Sequence, residues 1–342
     1  MEDNVLKFQE HHPSIESYWR SIILFGNNVA SYKFALSEAL LDFAKEGKIN
    51  ISYDELAVPY SKYICEHLKS APKQTTSSNS KFLTACKMFN KKDITYDELI
   101  KATVENGFIY VLDAFHNVNR KILPIEFYKK EKNKILLTDE IYKINELKTN
   151  MNFRAEIESR WKLVETAWEQ GINRSLLNIN YDYNDEILFI NNNLKRRNIT
   201  SVRGALNGYQ KSKCFYCNDD IIVSDDKDNT CDVDHFFPHV LNGSIKNINF
   251  DGVWNLVLTC HDCNRGVNGK FCQVPTIKYL SKLNDRNNYL ISSHHPLRET
   301  IMNQTGSTEA LRNAFLNSVD KLAIEKLINR WEPKELKNID IL

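Results

Sequence analysis

Residues 259–266 read TCHDCNRG: two cysteines, a histidine, an aspartate, an asparagine and an arginine within one short stretch. Cys260 and Cys263 form a CxxC, a tight turn whose two thiolates can point at one ion. A tetrahedral site needs a second such turn, and Cys214 and Cys217, flanking Phe215-Tyr216, supply it. One CxxC alone could be a redox pair. Two, without any other redox feature, point to a structural zinc on Cys214, Cys217, Cys260 and Cys263. His261 sits inside a knuckle that already has both cysteines, so it reads as a surface or flanking histidine. The stretch 218–259 between the knuckles is longer than in a zinc ribbon, so the ion would clamp the two ends of a small module.

That module contains CDVDHFFPHV (231–240), WNLVL (254–258) and CNRG (263–266). Asp234-His235, then Asn255, then Asn264 directly after the last cysteine, resembles the HNH nuclease family over about residues 214–270. The order is similar to that in the HNH domain of RNA-guided CRISPR effector nucleases, and closer still to zinc-bearing HNH enzymes with two CxxC knuckles. The resemblance implies a β-hairpin and a helix around one catalytic Mg²⁺ or Mn²⁺ held by Asp234 and Asn264. It gives His235 the activation of water, and Asn255 the bracing of the loop that carries His235. The implied reaction is hydrolysis of DNA to 5′-phosphate and 3′-hydroxyl ends. Many members carry histidine where this chain has Asn264, which speaks against a soft transition metal in the catalytic site.

The residue types suit that chemistry independently. Histidine, with an unperturbed pKa of ~6.5, accepts a proton near neutrality. Asp234 and Asn264 offer hard oxygen atoms of the kind magnesium prefers. Arg265 can neutralise a phosphate. Each also has a structural alternative: a strand-end turn for Asp234, a packed core histidine for His235, a turn cap for Asn255, a helix N-cap for Asn264, a surface ion pair for Arg265. Asp232 and His239 flank the motif and are expected to be exposed.

The chain has 342 residues, enough for two domains, and a formal net charge of +1, so no global field draws it to nucleic acid. The local exception is the run Lys195, Arg196, Arg197, Arg203, Lys211 and Lys213, which leads into the first knuckle. It is the expected contact to DNA phosphates, RNA remaining open because nothing in the motif reads a 2′-hydroxyl. A solvated helix face is the alternative. The acidic stretch 219–234, apart from Asp234, is expected to face away from DNA.

The N-terminal stretch is polar, with no apolar signal segment, no run is long enough to span a membrane, and the thiols suit a reducing compartment. The expected location is cytoplasmic, with no membrane partner. The expected fold is mainly α with a small α+β module. Residues 1–193 form a helical domain of unknown role, through which a homo-oligomer or protein partner could bind. Residues 194–274 form the nuclease module, and 275–342 a helical extension packed on it. Helices are predicted over SYKFALSEALLDFAKEG (31–47) and NFRAEIESRWKLVETAWEQG (152–171), with capping boxes at Ser52/Glu55 and Thr95/Glu98. IIVS, DDKDN and TCDVDHF predict strand, acidic turn, strand; a short helix comes after NLVLTC; His294-His295-Pro296 predicts a surface turn. HNH modules joined to helical domains look like restriction or phage-defence effectors. The competing functions are an RNase with the same residues and a non-catalytic zinc-held DNA-binding module.

Overall fold

A computed structural model describes residues 14–25, 30–75, 79–118, 121–147, 150–169, 180–182, 184, 186–192, 195–223, 231–293 and 295–333. The chain is mainly helical and divides into two units, residues 1–171 and 172–342.

The first unit runs α1 (Ile15–Phe25), α2 (Tyr32–Lys45), β1 (Asn50–Ser52), α3 (Tyr53–Ser70), α4 (Lys81–Asn90) and α5 (Tyr96–Asn106). A short α6 (Val111–Ala114), the hairpin β2–β3 (Asn117–Val118, Lys121–Ile122), β4 (Tyr128–Lys130), β5 (Lys134–Leu137), α7 (Asp139–Glu146) and α8 (Asn150–Glu169) complete it. Helix α2 ends ahead of Gly47, whose φ of +71° lies in the left-handed region that glycine enters without a Cβ penalty. Both capping boxes form. Ser52 and Thr95 accept the backbone N–H three residues on, and Glu55 and Glu98 accept the cap N–H in return at 2.9 and 2.8 Å.

Beside the expected helices, the first region also contains an antiparallel sheet of order β1-β5-β4. Strands of three or four residues carry too few alternations to stand out from the sequence. The core is aromatic: Trp19, Phe34, Tyr60, Phe82, Phe127, Phe153 and Trp161 are all buried. Two of the charges inside it meet opposite charges. Arg20 forks onto Glu156 at 2.8–3.0 Å and lies over the Phe153 ring. His67 stacks on Trp161, ring centroids 3.5 Å apart, with Glu165 and Glu158 at its two nitrogens at 2.7 and 3.2 Å.

The second unit opens with an antiparallel sheet of β6 (Asn180–Asp182), β7 (Ile187–Asn192) and β8 (Lys195–Ser201), then α9 (Val202–Gln210). The expected boundary at 193/194 falls inside the β7–β8 pair, so residues 187–192 belong to the second unit. Next come β9 (Asp232–His235), β10 (Leu256–Thr259), α10 (His261–Arg265), β11 (Val274–Pro275), α11 (Ile277–Ser292), α12 (Arg298–Thr305), α13 (Glu309–Leu327) and β12 (Arg330–Trp331).

The partner of β9 is β10, in the antiparallel register Leu256↔His235 to Thr259↔Asp232, and all eight residues of the pair are buried. Of the predicted hairpin with IIVS, the described residues show Cys231 N donating to Ile222 O at 2.8 Å, just before β9, whereas LVLT pairs with β9 along its whole length. The acidic turn DDKDN lies outside the described residues. The C-terminal helices cover the hairpin: Arg286 and Asn287 on α11 donate to Trp254 O at 3.0 and 3.1 Å, and Phe315 on α13 packs edge-on against Trp254. Among the described residues no helix is long and apolar enough to cross a membrane.

Candidate active site

The four cysteines converge. The Sγ atoms of Cys214, Cys217, Cys260 and Cys263 all lie within 4.8 Å of one another, the arrangement a tetrahedral zinc needs, and none is in a disulfide. The first knuckle is closed by Asn218 N donating to Cys214 O and by a left-handed Asn218 at φ +65°. In the second, Cys260 is the N-cap of α10, its sulfur accepting Cys263 N–H at 3.4 Å, so the ligand also sets where that helix begins. Sulfur–sulfur contacts push the thiols apart, Cys214 and Cys260 below the usual value and Cys217 and Cys263 above it. A divalent cation would stabilise all four as thiolates. The Lys282 ammonium donates to Phe215 O at 2.8 Å within the field of Cys214 and Cys217, and can offset part of their charge. The quartet therefore fits zinc by donor type, number and spacing.

Asn255 holds the loop after β9. It is fully buried. Its Oδ1 accepts Phe237 N–H at 2.8 Å, and its Nδ2 donates to Phe237 O at 2.9 Å and Phe250 O at 2.8 Å. Three bonds from one amide tie together both ends of the segment between the strands, and His235 stands two residues before the first of them. The His235 imidazole, almost wholly buried, meets Asp251 Oδ1 through Nε2 at 3.0 Å.

Asp234 and Asn264, the expected holders of one cation, meet different side-chain partners. Asp234 accepts from the Tyr216 hydroxyl at 2.8 Å on Oδ2 and from the Lys270 ammonium at 3.0 Å on Oδ1. Lys270 is 0% exposed and donates also to His235 O and Phe271 O, at 2.9 and 3.3 Å. Burial, with the Asp234 charge and hydrogen bond added, holds the Tyr216 hydroxyl well above its usual pKa. Asn264 instead donates to Asp232 Oδ2 at 3.1 Å. Asp232, expected to be exposed, is 8% exposed and receives Arg265 through Nε and Nη2 at 3.1 and 2.9 Å. Its strand mate two residues on faces the same side of the sheet, so the two carboxylates form one row, each matched by a basic side chain. Oxygen donors of the right class for Mg²⁺ are present, and each oxygen of Asp234 already accepts one hydrogen bond, so a divalent cation there would share or displace the Lys270 contact.

Arg265 keeps 58% of its side chain exposed, and His261, 63% exposed, lies 3.5 Å from Asp232. The basic run divides. Lys195, Arg196 and Arg197 lie on β8, their side chains outside the described residues. Arg203 is turned inward, paired with Glu186 and donating to Cys231 O at 2.9 Å, where it secures the start of β9. Lys211 is the left-handed C-cap of α9. Lys213 pairs with Asp220 at 2.6 Å and stays partly exposed. Of the predicted His294-His295 surface turn, His294 lies outside the described residues, while His295 is buried and accepts Leu297 N–H at 3.1 Å.

Three site residues are invisible in the sequence alone: Lys270, Tyr216 and Asp251. Lys270 and Asp251 carry no motif, and Tyr216 reads only as the filling of a knuckle. Comparison with family models, with curated proteins and with solved structures returned no match.

Proposed function

We infer that residues 214–270 form an HNH-type endonuclease module that hydrolyses phosphodiester bonds in DNA. The observation that carries this is the fixed His235: its ring is anchored to Asp251, and its loop is tied at both ends by Asn255, inside a hairpin clamped by the cysteine quartet. A histidine held this way can take a proton from a water attacking phosphorus. The new P–O bond forms, the P–O3′ bond breaks, and the leaving oxygen is protonated from solvent. Arg265, oriented by Asp232 and still exposed, offsets charge on the phosphate. Zinc is structural. The family resemblance implies that Asp234 would hold a Mg-class ion in place of its Lys270 contact, and such an ion would supply stabilisation of the phosphate and leaving oxygen.

That buried Lys270–Asp234 pair favours a second function, a zinc-held nucleic-acid-binding module that cleaves nothing. The deciding experiment incubates the zinc-loaded chain with plasmid DNA and with RNA, under Mg²⁺, Mn²⁺ or EDTA, beside His235→Ala. Cleavage of DNA that His235→Ala abolishes supports the nuclease. Equal cleavage by His235→Ala rules out the mechanism, cleavage of RNA alone makes the module a ribonuclease, and binding without cleavage under every metal selects the second function.

A further inference from the structure

Asp251, four residues before Asn255, is held at both carboxylate oxygens and at its backbone N–H. Its Oδ1 lies 3.0 Å from His235 Nε2 and 3.4 Å from His239 Nε2. Its Oδ2 accepts from Asn242 Nδ2 at 3.0 Å, and its backbone N–H donates to Asn249 Oδ1 at 3.0 Å. Asn242 is held in turn, its Oδ1 accepting Phe250 N–H at 3.2 Å. The hydrogen bond from His235 is the largest cause that draws the Asp251 carboxyl below its ordinary range, so it is ionised.

An ionised carboxylate can only accept, so the ring nitrogen facing it carries the proton. Residue 235 then has Nε2 protonated and its lone pair on Nδ1. We propose that Asp251 is the positioning residue of this site: it sets the tautomer of His235, with the proton on Nε2 and the lone pair on Nδ1. It also restrains the ring from turning over, since a flip would break the bond to Oδ1. His239 contributes a wall. Its ring meets that of His235 edge-on, centroids 5.3 Å apart at 80°. Among the described residues, the cysteine quartet is the one group of three or more His, Cys, Asp or Glu whose ligand atoms all lie within 4.8 Å of one another.

The catalytic meaning of Asp251 rests on the nuclease function, but the tautomer does not, and the two are separable by experiment. Long-range ¹H–¹⁵N correlation spectra of the full, zinc-loaded chain, with the signal assigned through His235→Gln, report which nitrogen is protonated. The expected result is an Nε2–H ring in the wild type. In Asp251→Asn the amide can turn its NH₂ toward Nε2, moving the proton to Nδ1. Zinc content should be unchanged, and kcat on DNA should fall roughly 10²–10⁴-fold with KM within about twofold, as expected when a base is held in the wrong tautomer. Asp251→Glu, which restores a carboxylate, should recover the Nε2–H signal and part of the rate. A wild-type ring protonated on Nδ1, or an Asp251→Asn spectrum identical to the wild type, overturns the assignment. An Nε2–H ring in a chain that cleaves no nucleic acid supports the assignment and removes the nuclease instead.

Discussion

The two units bury charge under different circumstances. In the first, ionic groups lie in closed pairs against large aromatic side chains: Arg20 with Glu156 over Phe153, His67 between two glutamates on Trp161. Long helices surround them and supply apolar area enough to stand without any one pair. In the second, the site sits on strands of four residues and a helix of five. Elements that short bury little area of their own, so the cysteine quartet, the buried Lys270–Asp234 pair and the covering helices hold them. The same kind of buried charge is thus an accessory in one unit and a foundation in the other.

The largest test of that contrast is removal of the metal. Cys214→Ser, or exhaustive chelation, should take bound zinc from about one per chain to almost none. Because a structural zinc contributes about 10–16 kcal/mol of apparent binding energy, the calorimetric transition of the second unit should vanish while that of the first remains. Undiminished zinc with unchanged melting would break the comparison outright.

Next is Lys270→Met, which strands the buried Asp234 carboxylate and should cost about 3–5 kcal/mol in urea denaturation of the second unit. Adding Asp234→Asn should return most of the loss, since a neutral amide can stay buried beside the Tyr216 hydroxyl. A cost below about 1 kcal/mol would place Asp234 in contact with water after all.

His67 sharpens the contrast from the other side. Burial pulls its pKa down, but the hydrogen bonds and charges of Glu158 and Glu165 outweigh it and raise it to about 9. The folded protein thus holds this proton more tightly than the unfolded chain. The resulting stability is fully present below the unfolded value of ~6.5 and is lost as pH rises through the folded one, about 3 kcal/mol in all. Glu158 works in the opposite direction. Burial raises its pKa, the His67 bond and charge more than reverse that, and it falls to about 2, so its contribution fades as pH drops toward that value. The melting temperature of the first unit should therefore be highest between these limits. His67→Gln should flatten the decline on the alkaline side, and an unflattened decline would assign it to other groups.

The smallest effect belongs to the capping boxes. Thr95→Ala should lower the stability of the first unit by about 1 kcal/mol and leave zinc content unchanged.

Much of this architecture is legible in the residues. The capping boxes, the stop at Gly47, the zinc quartet, and a strand at DVDH with a helix start after LVLT come from short-range rules of cap chemistry, ligand spacing and apolar runs. The small sheet of the first unit does not, because three-residue strands carry no measurable periodicity. The pairing of DVDH with LVLT does not either, because IIVS and LVLT are both mainly apolar runs and the choice depends on contacts far apart in the chain. At the site, Asp234 and Asn264 are recognisable as residue types suited to a cation. That a lysine six residues after Asn264 occupies the carboxylate is a matter of how the loop 266–271 folds back.

By itself, then, the sequence determined which side chains could do chemistry here: four thiols at ligand spacing, a histidine beside an aspartate, an asparagine able to brace a loop. Local spacing along the chain suffices for that, since ligand turns and caps span only a few residues. Tertiary structure alone decided which charge meets which. Asp234 faces Lys270, Asp232 faces Arg265, and His235 faces Asp251, because pairing across a sheet and a returning loop depends on contacts between residues 16 to 36 positions apart. No local pattern encodes those meetings, and they determine which nitrogen of His235 carries the proton.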